Sequence, residues 1–213
     1  MGQQKKKAAG KESEAPMKLF YIFYSQERWD NWMNSLLEAD FGDDPDSEDL
    51  PQGLSILAGF NEDICVEVLK IIKLYQNNRF TKEETLERLQ EVGSIVMDQE
   101  VPEVLADVIQ YMQDQLVVLF SSCTMYLEGD YTSTEMKDLV KAGRACSEDE
   151  GETALDIASK IGAHVMNGTS CCGRYIKDNM EPTPFNEWLI QIEMMSEAFA
   201  SLKGFDEQAG EDT

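Results

Sequence analysis

Histidine is nearly absent from this chain: His164 stands alone among 213 residues. Chemistry built on paired imidazoles is thereby excluded, and no metal-binding helix of the His-Glu type can be written. There is no Gly-rich phosphate loop, no nucleophile elbow and no Cys-x-x-Cys pair. No apolar run reaches the roughly 18 residues that a membrane-spanning helix needs. The opening MGQQKKKAAGKESEAP has no apolar middle, so it does not read as a secretory signal. Its sixth residue is Lys6, where a myristoylation start wants Ser or Thr.

Positive charge is also scarce. Lys and Arg number 18 against 41 Asp and Glu, for a formal net charge of −23. Five of the lysines (Lys5, Lys6, Lys7, Lys11 and Lys18) lie in the first 18 residues. The remainder is therefore more acidic than the total suggests. Such a body repels phosphate backbones, so nucleic acid is unexpected except through the basic tail. Basic protein partners fit better. The five cysteines are an odd count without a secretory signal, which points to reduced thiols and a cytoplasmic protein. In that compartment the glycosylation match at Asn167 is idle.

What is present is helical periodicity. Ser25 reads as an N-cap, and Trp29, Trp32, Met33, Leu36 and Leu37 follow on one stripe. The preceding LFYIFY has no partner strand and is expected to pack onto the domain. An acidic loop is expected from Gly42 to Gly53. Asn61 then reads as the cap of a second helix carrying Cys65, Val68, Leu69, Ile72 and Tyr75. Thr81 and Glu84 form a capping box for a third, with Leu86, Leu89, Val92 and Val96 as its stripe. Pro102 suits the first turn of a long helix running to about Leu127 and closed by Gly129. Its apolar middle, LVVLF, marks it as the central helix, with Val108, Ile109, Met112, Leu116 and Phe120 mostly buried. Thr132 and Glu135 read as a further capping box. A sixth helix ends at Gly168, and a seventh starts at Thr183 and Pro184 and ends at Gly204. The expectation is an all-α fold: a single multi-helix bundle of about seven helices, with antiparallel helical hairpins around a central long helix. Residues 1–16 read as a disordered basic tail, 17–204 as the domain and 205–213 as a disordered acidic end.

Three stretches carry a resemblance: FYSQERWDNWMNSLLEADF, DICVEVLKIIKLYQNNRFTKEETLERLQEV and FNEWLIQIEMMSEAF. By pattern and element order, from about Phe20 to Leu202, the chain resembles an archaeal family known as domain of unknown function twenty-one fifty. The resemblance implies an archaeal cytoplasmic protein. It brings no activity, cofactor or catalytic residue to carry over.

Candidate chemistry is thin. His164 lies on a helix with no motif beside it and reads as a partly buried helical histidine. GDDPDSED is rich in oxygen ligands but lacks the spacing of a calcium loop. Cys65 and Cys123 sit on apolar stripes as small hydrophobes. Cys171 and Cys172 are adjacent, which makes them a poor chelate pair; with Cys146 they form the only thiol site the sequence offers. Neither a catalytic residue nor a cofactor is assigned. Tyr21, Tyr24, Trp29 and Met194 are the candidate partner-binding residues, because aromatic and Met side chains dominate interface hot spots. Met194 and Met195 are neighbours on one helix and cannot both face inward. The leading expectation is a non-enzymatic interaction or regulatory protein, with a second copy of the chain among its candidate partners. The alternatives are a thiol sensor or metal protein using Cys146, Cys171 and Cys172, and an enzyme with a carboxylate-based site.

Overall fold

The computed structural model describes residues 22–42, 51–131, 133–169, 172–177 and 179–205, with the side chains at 148 and 172 left aside. Within them lie seven α-helices: α1 (Gln26–Leu37), α2 (Gln52–Gln76), α3 (Lys82–Met97), α4 (Ala106–Glu128), α5 (Met136–Gly143), α6 (Gly151–Met166) and α7 (Pro184–Ser201). Three short 3-10 turns join them, at Glu103–Leu105, Glu148–Glu150 and Cys172–Tyr175, and the described residues form no strand. The all-α bundle expected from periodicity is what forms.

The helix ends show why the chain breaks where it does. The Ser25 hydroxyl accepts from the Arg28 backbone N–H and starts α1. Thr81 and Glu84 close a complete capping box on α3, and the Thr183 hydroxyl accepts from the Asn186 N–H ahead of Pro184. Gly129 ends α4 at φ 83°, and Gly168 follows α6 at φ 89°, both left-handed positions where a Cβ is costly.

Three expectations need correction. Asn61 caps nothing: α2 already begins at Gln52, and Asn61 lies inside it, exchanging side-chain hydrogen bonds with Gln191 of α7. The helix continues through Gly53 and Gly59 because their missing side chains are filled by neighbours. A Cβ on Gly53 would stand 2.5 Å from the Phe41 ring, and one on Gly59 3.5 Å from Trp32. Pro102 precedes a 3-10 turn rather than the first turn of α4. Glu135 is itself the N-cap of α5, so it is not the third residue of a Thr132 box; Thr132 lies outside the described residues. The working box in this region is Ser147 with Glu150, ahead of α6. Backbone and then hydroxyl hydrogen bonds from Ser147 hold the Glu150 carboxyl below the usual carboxylate range.

Packing order follows from which residues meet. Arg28 and Trp32 of α1 reach back along α2 to Glu67 and Asp63, so the two helices are antiparallel. The short Asn77–Thr81 connector reverses α3 on α2, and the Gln113 amide of α4 donates to the Val96 carbonyl near the end of α3. Helix α7 runs in the same direction as α2, since Asn61 meets Gln191 and Lys73 covers the Phe199 ring. It also runs with α4, where Gln115 meets Glu187. The long helix α4 packs on α2, α3, α6 and α7 and is the hub of the bundle. Ile109, Met112 and Leu116 are buried as expected, and so is Leu119. Val108 and Phe120 are only half-buried.

The lead-in packs on the body as coil: Phe23 is buried edge-on to Phe80, and Tyr24 is buried beside Arg28. Phe205 also sits on the body, with its ring under Lys70 and its carbonyl facing Asn77. The basic tail, most of the acidic loop and residues 206–213 lie outside the described residues.

Candidate interaction face

Among the described residues, helix α4 has a strip that no other helix covers. Val117, Phe120, Ser121 and Thr124 recur on it at three- and four-residue steps, so they share a face. Helix α3 lies along one side of the strip and α6 along the other, without substantial contact between them among the described residues. The result is a ridge with a groove on each flank. The α3 groove, about 530 Å³, is lined by Leu86, Leu89, Gly93, Met97, Val117 and Phe120 among others. The α6 groove, about 430 Å³, shares Phe120, Ser121 and Thr124 and adds Met125, Leu155 and Ser159. Met97, Val117, Phe120, Met125 and Leu155 are half-buried, and Leu86 is 38% exposed. Carboxylates stand in the walls: Asp98 in the α3 groove, and Glu128, Glu152 and Asp156 in the α6 groove. Among the described residues only Asp156 of these four is ion-paired, to Lys160 at 2.8 Å.

Gly162 shapes this face. A Cβ on Gly93 would stand 3.8 Å from the Phe120 ring, an ordinary contact. Gly162 lets α6 close onto α4 at Ser122, below the ridge. Sequence periodicity placed Phe120 in the core and so missed the strip. The signal available was Ser121 and Thr124, small polar groups three residues apart on the side that carries Val117 and Phe120.

The residues singled out from sequence are placed elsewhere. Trp29 is 2% exposed and edge-on to Phe60, on whose other contact Trp32 stacks at 5.2 Å. Tyr24 is buried, its hydroxyl has no partner, and burial together with Asp63 raises its phenol pKa far above normal. Trp29 and Tyr24 therefore present almost no surface, and their work is to seat α1. The joint is completed by Arg28, whose guanidinium pairs with Asp63 and with Glu67 at 3.1 Å. Burial pulls down on that guanidinium, but the bond and charge of Asp63 outweigh it. Trp32 Nε1 also donates to Asp63 at 2.8 Å. Met195 is fully buried and Met194 half-exposed, as their adjacency requires. Tyr21 lies outside the described residues.

Cys146 lines a cleft of about 450 Å³ between α5 and the start of α7, its thiol facing the Ala142 carbonyl at 3.6 Å. Cys171 lies outside the described residues, and only the backbone of Cys172 is described, so the structure does not assemble the three thiols. In that cleft Arg144 is engaged by neutral groups, the Asn186 side chain at 3.0 Å and the Tyr175 carbonyl at 2.6 Å. Cys65 and Cys123 are fully buried, and burial pushes the Cys65 thiol up to about 12. His164 is half-buried against Tyr131, ring planes at 86°, with its Nε2 unpartnered. A further cleft, about 700 Å³, is lined by Tyr75, Gln76, Arg79 and Tyr126 among others. The Gln76 amide there is used internally, donating to the Tyr126 hydroxyl and the Met166 carbonyl. Among the described residues no three His, Cys, Asp or Glu side chains are grouped to hold a metal. No described helix is long and apolar enough to cross a membrane.

The family model described as an uncharacterized protein conserved in archaea, DUF2150, matches residues 22–208. The chain belongs to DUF2150. The match takes in all seven helices of the bundle, including the α3, α4 and α6 segments that build the ridge. No curated protein and no solved structure matches this DUF2150 chain.

Proposed function

We propose that this DUF2150 protein is a non-enzymatic cytoplasmic interaction protein that acts through protein–protein contacts on the α3–α4–α6 face. The observation that carries the reading is the strip of the hub helix left uncovered among the described residues, where Val117 and Phe120 stay half-exposed between two grooves and Leu155 of α6 stays half-exposed beside them. Burying such side chains yields about 25 cal/mol per Å² of apolar area removed from water, and a contiguous apolar patch on a small domain commonly marks a binding surface. The other clefts offer less, because their polar side chains close hydrogen bonds within the fold. The two buried neutral thiols fit a reducing compartment.

The test is affinity capture from cell extract with the full chain, run at several salt concentrations. A defined partner is expected with the native protein and with Glu197→Arg on α7, and is lost with Ser121→Arg in the ridge. Recovery of nothing specific, or of the same proteins with Ser121→Arg, contradicts the reading.

A further inference from the structure

Resting on that interaction reading, we infer that the occupant of the face is an amphipathic helix with an apolar stripe and basic flanks, supplied by another protein. The shape argues for a helix. The α3 wall runs from Leu86 to Asp98, a length of about 18 Å at the α-helical rise, or just over three turns. A ridge of α-helical side chains with a groove on each side is the surface into which a second helix interdigitates. The floor supplies apolar partners in Val117, Phe120 and Leu155, with Ser121 and Thr124 small enough to admit incoming side chains.

The charge argues for basic flanks. Asp98 stands in one groove and Glu128 and Glu152 in the other, all three exposed and without a cationic partner among the described residues. A stripe laid along the ridge would bring its flanking residues over these carboxylates. Lysine or arginine there gains attraction on both sides, and glutamate meets repulsion on both. A second copy of this chain brings a net charge of −23 to the same carboxylates, which disfavours self-association through this face.

The test uses the purified full chain and two synthetic 18-residue amphipathic peptides, one of Leu and Lys and one of Leu and Glu, read by fluorescence anisotropy. The Leu–Lys peptide is expected to bind and the Leu–Glu peptide not to bind. Ser121→Arg, and separately the triple change Asp98→Asn, Glu128→Gln, Glu152→Gln, should each weaken Leu–Lys binding at least tenfold. Neutralising three exposed carboxylates away from the face (Glu38→Gln, Asp138→Asn and Glu197→Gln) should weaken it less than threefold. Equal loss from both triples, or no loss with Ser121→Arg, means attraction to an acidic body in general and overturns the inference. A concentration-dependent dimer that Ser121→Arg abolishes would name a second copy as the occupant and overturn it too. So would peptide binding that appears only when residues 1–18 are deleted, because the tail would then be the occupant. The two readings fail separately. A captured partner whose contacting segment is acidic or non-helical defeats the basic helix and leaves the interaction reading standing, whereas an extract that yields no ridge-dependent partner defeats both.

Discussion

Gly162 of α6 lies so close to Ser122 of α4 that a Cβ on the glycine would stand 2.0 Å from the serine hydroxyl and 2.6 Å from its Cβ. Both residues are buried, and the Met195 methyl is 3.4 Å from the same point. This contact sets the distance between the hub helix and α6, and so the width of one groove. Gly162→Ala should separate the helices and lower stability by ~1–3 kcal/mol, the usual cost of overpacking, despite Ala being the better helix former. Ser122→Ala is expected to be neutral or slightly stabilising, because the serine hydroxyl is buried without a partner. Urea unfolding of the two variants checks both signs.

Leu116 is fully buried at the middle of α4. Leu116→Ala should cost ~2–5 kcal/mol through lost transfer energy and the cavity left behind. An unchanged thermal midpoint would show that α4 is not the hub.

Asp63 gathers the Arg28 guanidinium and the Trp32 indole N–H at the α1–α2 joint. Asp63→Ala leaves the Trp32 indole N–H without its acceptor and Arg28 with Glu67 as its remaining carboxylate, and should cost ~1–3 kcal/mol. Tyr24→Phe removes only an unpartnered hydroxyl and should leave stability unchanged or raised. Chemical denaturation separates the two variants.

The Cys65 thiol ionises at about 12 in the fold, raised by burial from its ordinary 9.0. Between those values the unfolded chain has lost a proton that the folded chain keeps. Stability therefore falls as pH rises through that window, and below it the thiol contributes no pH dependence. Cys65→Ala should flatten the decline that denaturation measures above pH 9. In the native state at neutral pH, alkylation should spare Cys65 and Cys123 and modify the half-exposed Cys146.

Much of the bundle was legible because its signals are local. Caps at Ser25, Thr81 and Thr183 and left-handed glycines at Gly129 and Gly168 act within one turn of themselves. The start of α2 was not legible, because Gly53 reads as the end of the acidic loop and Asn61 as a cap until Phe41 is seen against the empty side of Gly53 and Gln191 beside Asn61. The candidate face was hidden for a related reason. Phe120 fits the core periodicity of α4, and only the placement of α3 and α6 on either side shows that its strip stays uncovered. The aromatic residues near the start drew attention by type, yet Trp29 and Tyr24 face inward, where Trp29 packs α1 against Phe60 of α2 and Tyr24 lies under Arg28.

The most direct test places a photo-crosslinking amino acid at Ser121, on the ridge, and in a separate protein at Glu197, exposed on α7. On irradiation in cells, the Ser121 probe should yield one discrete adduct with another protein, and the Glu197 probe should not. Adducts of the same size and amount from both positions, or none from Ser121, would contradict the account.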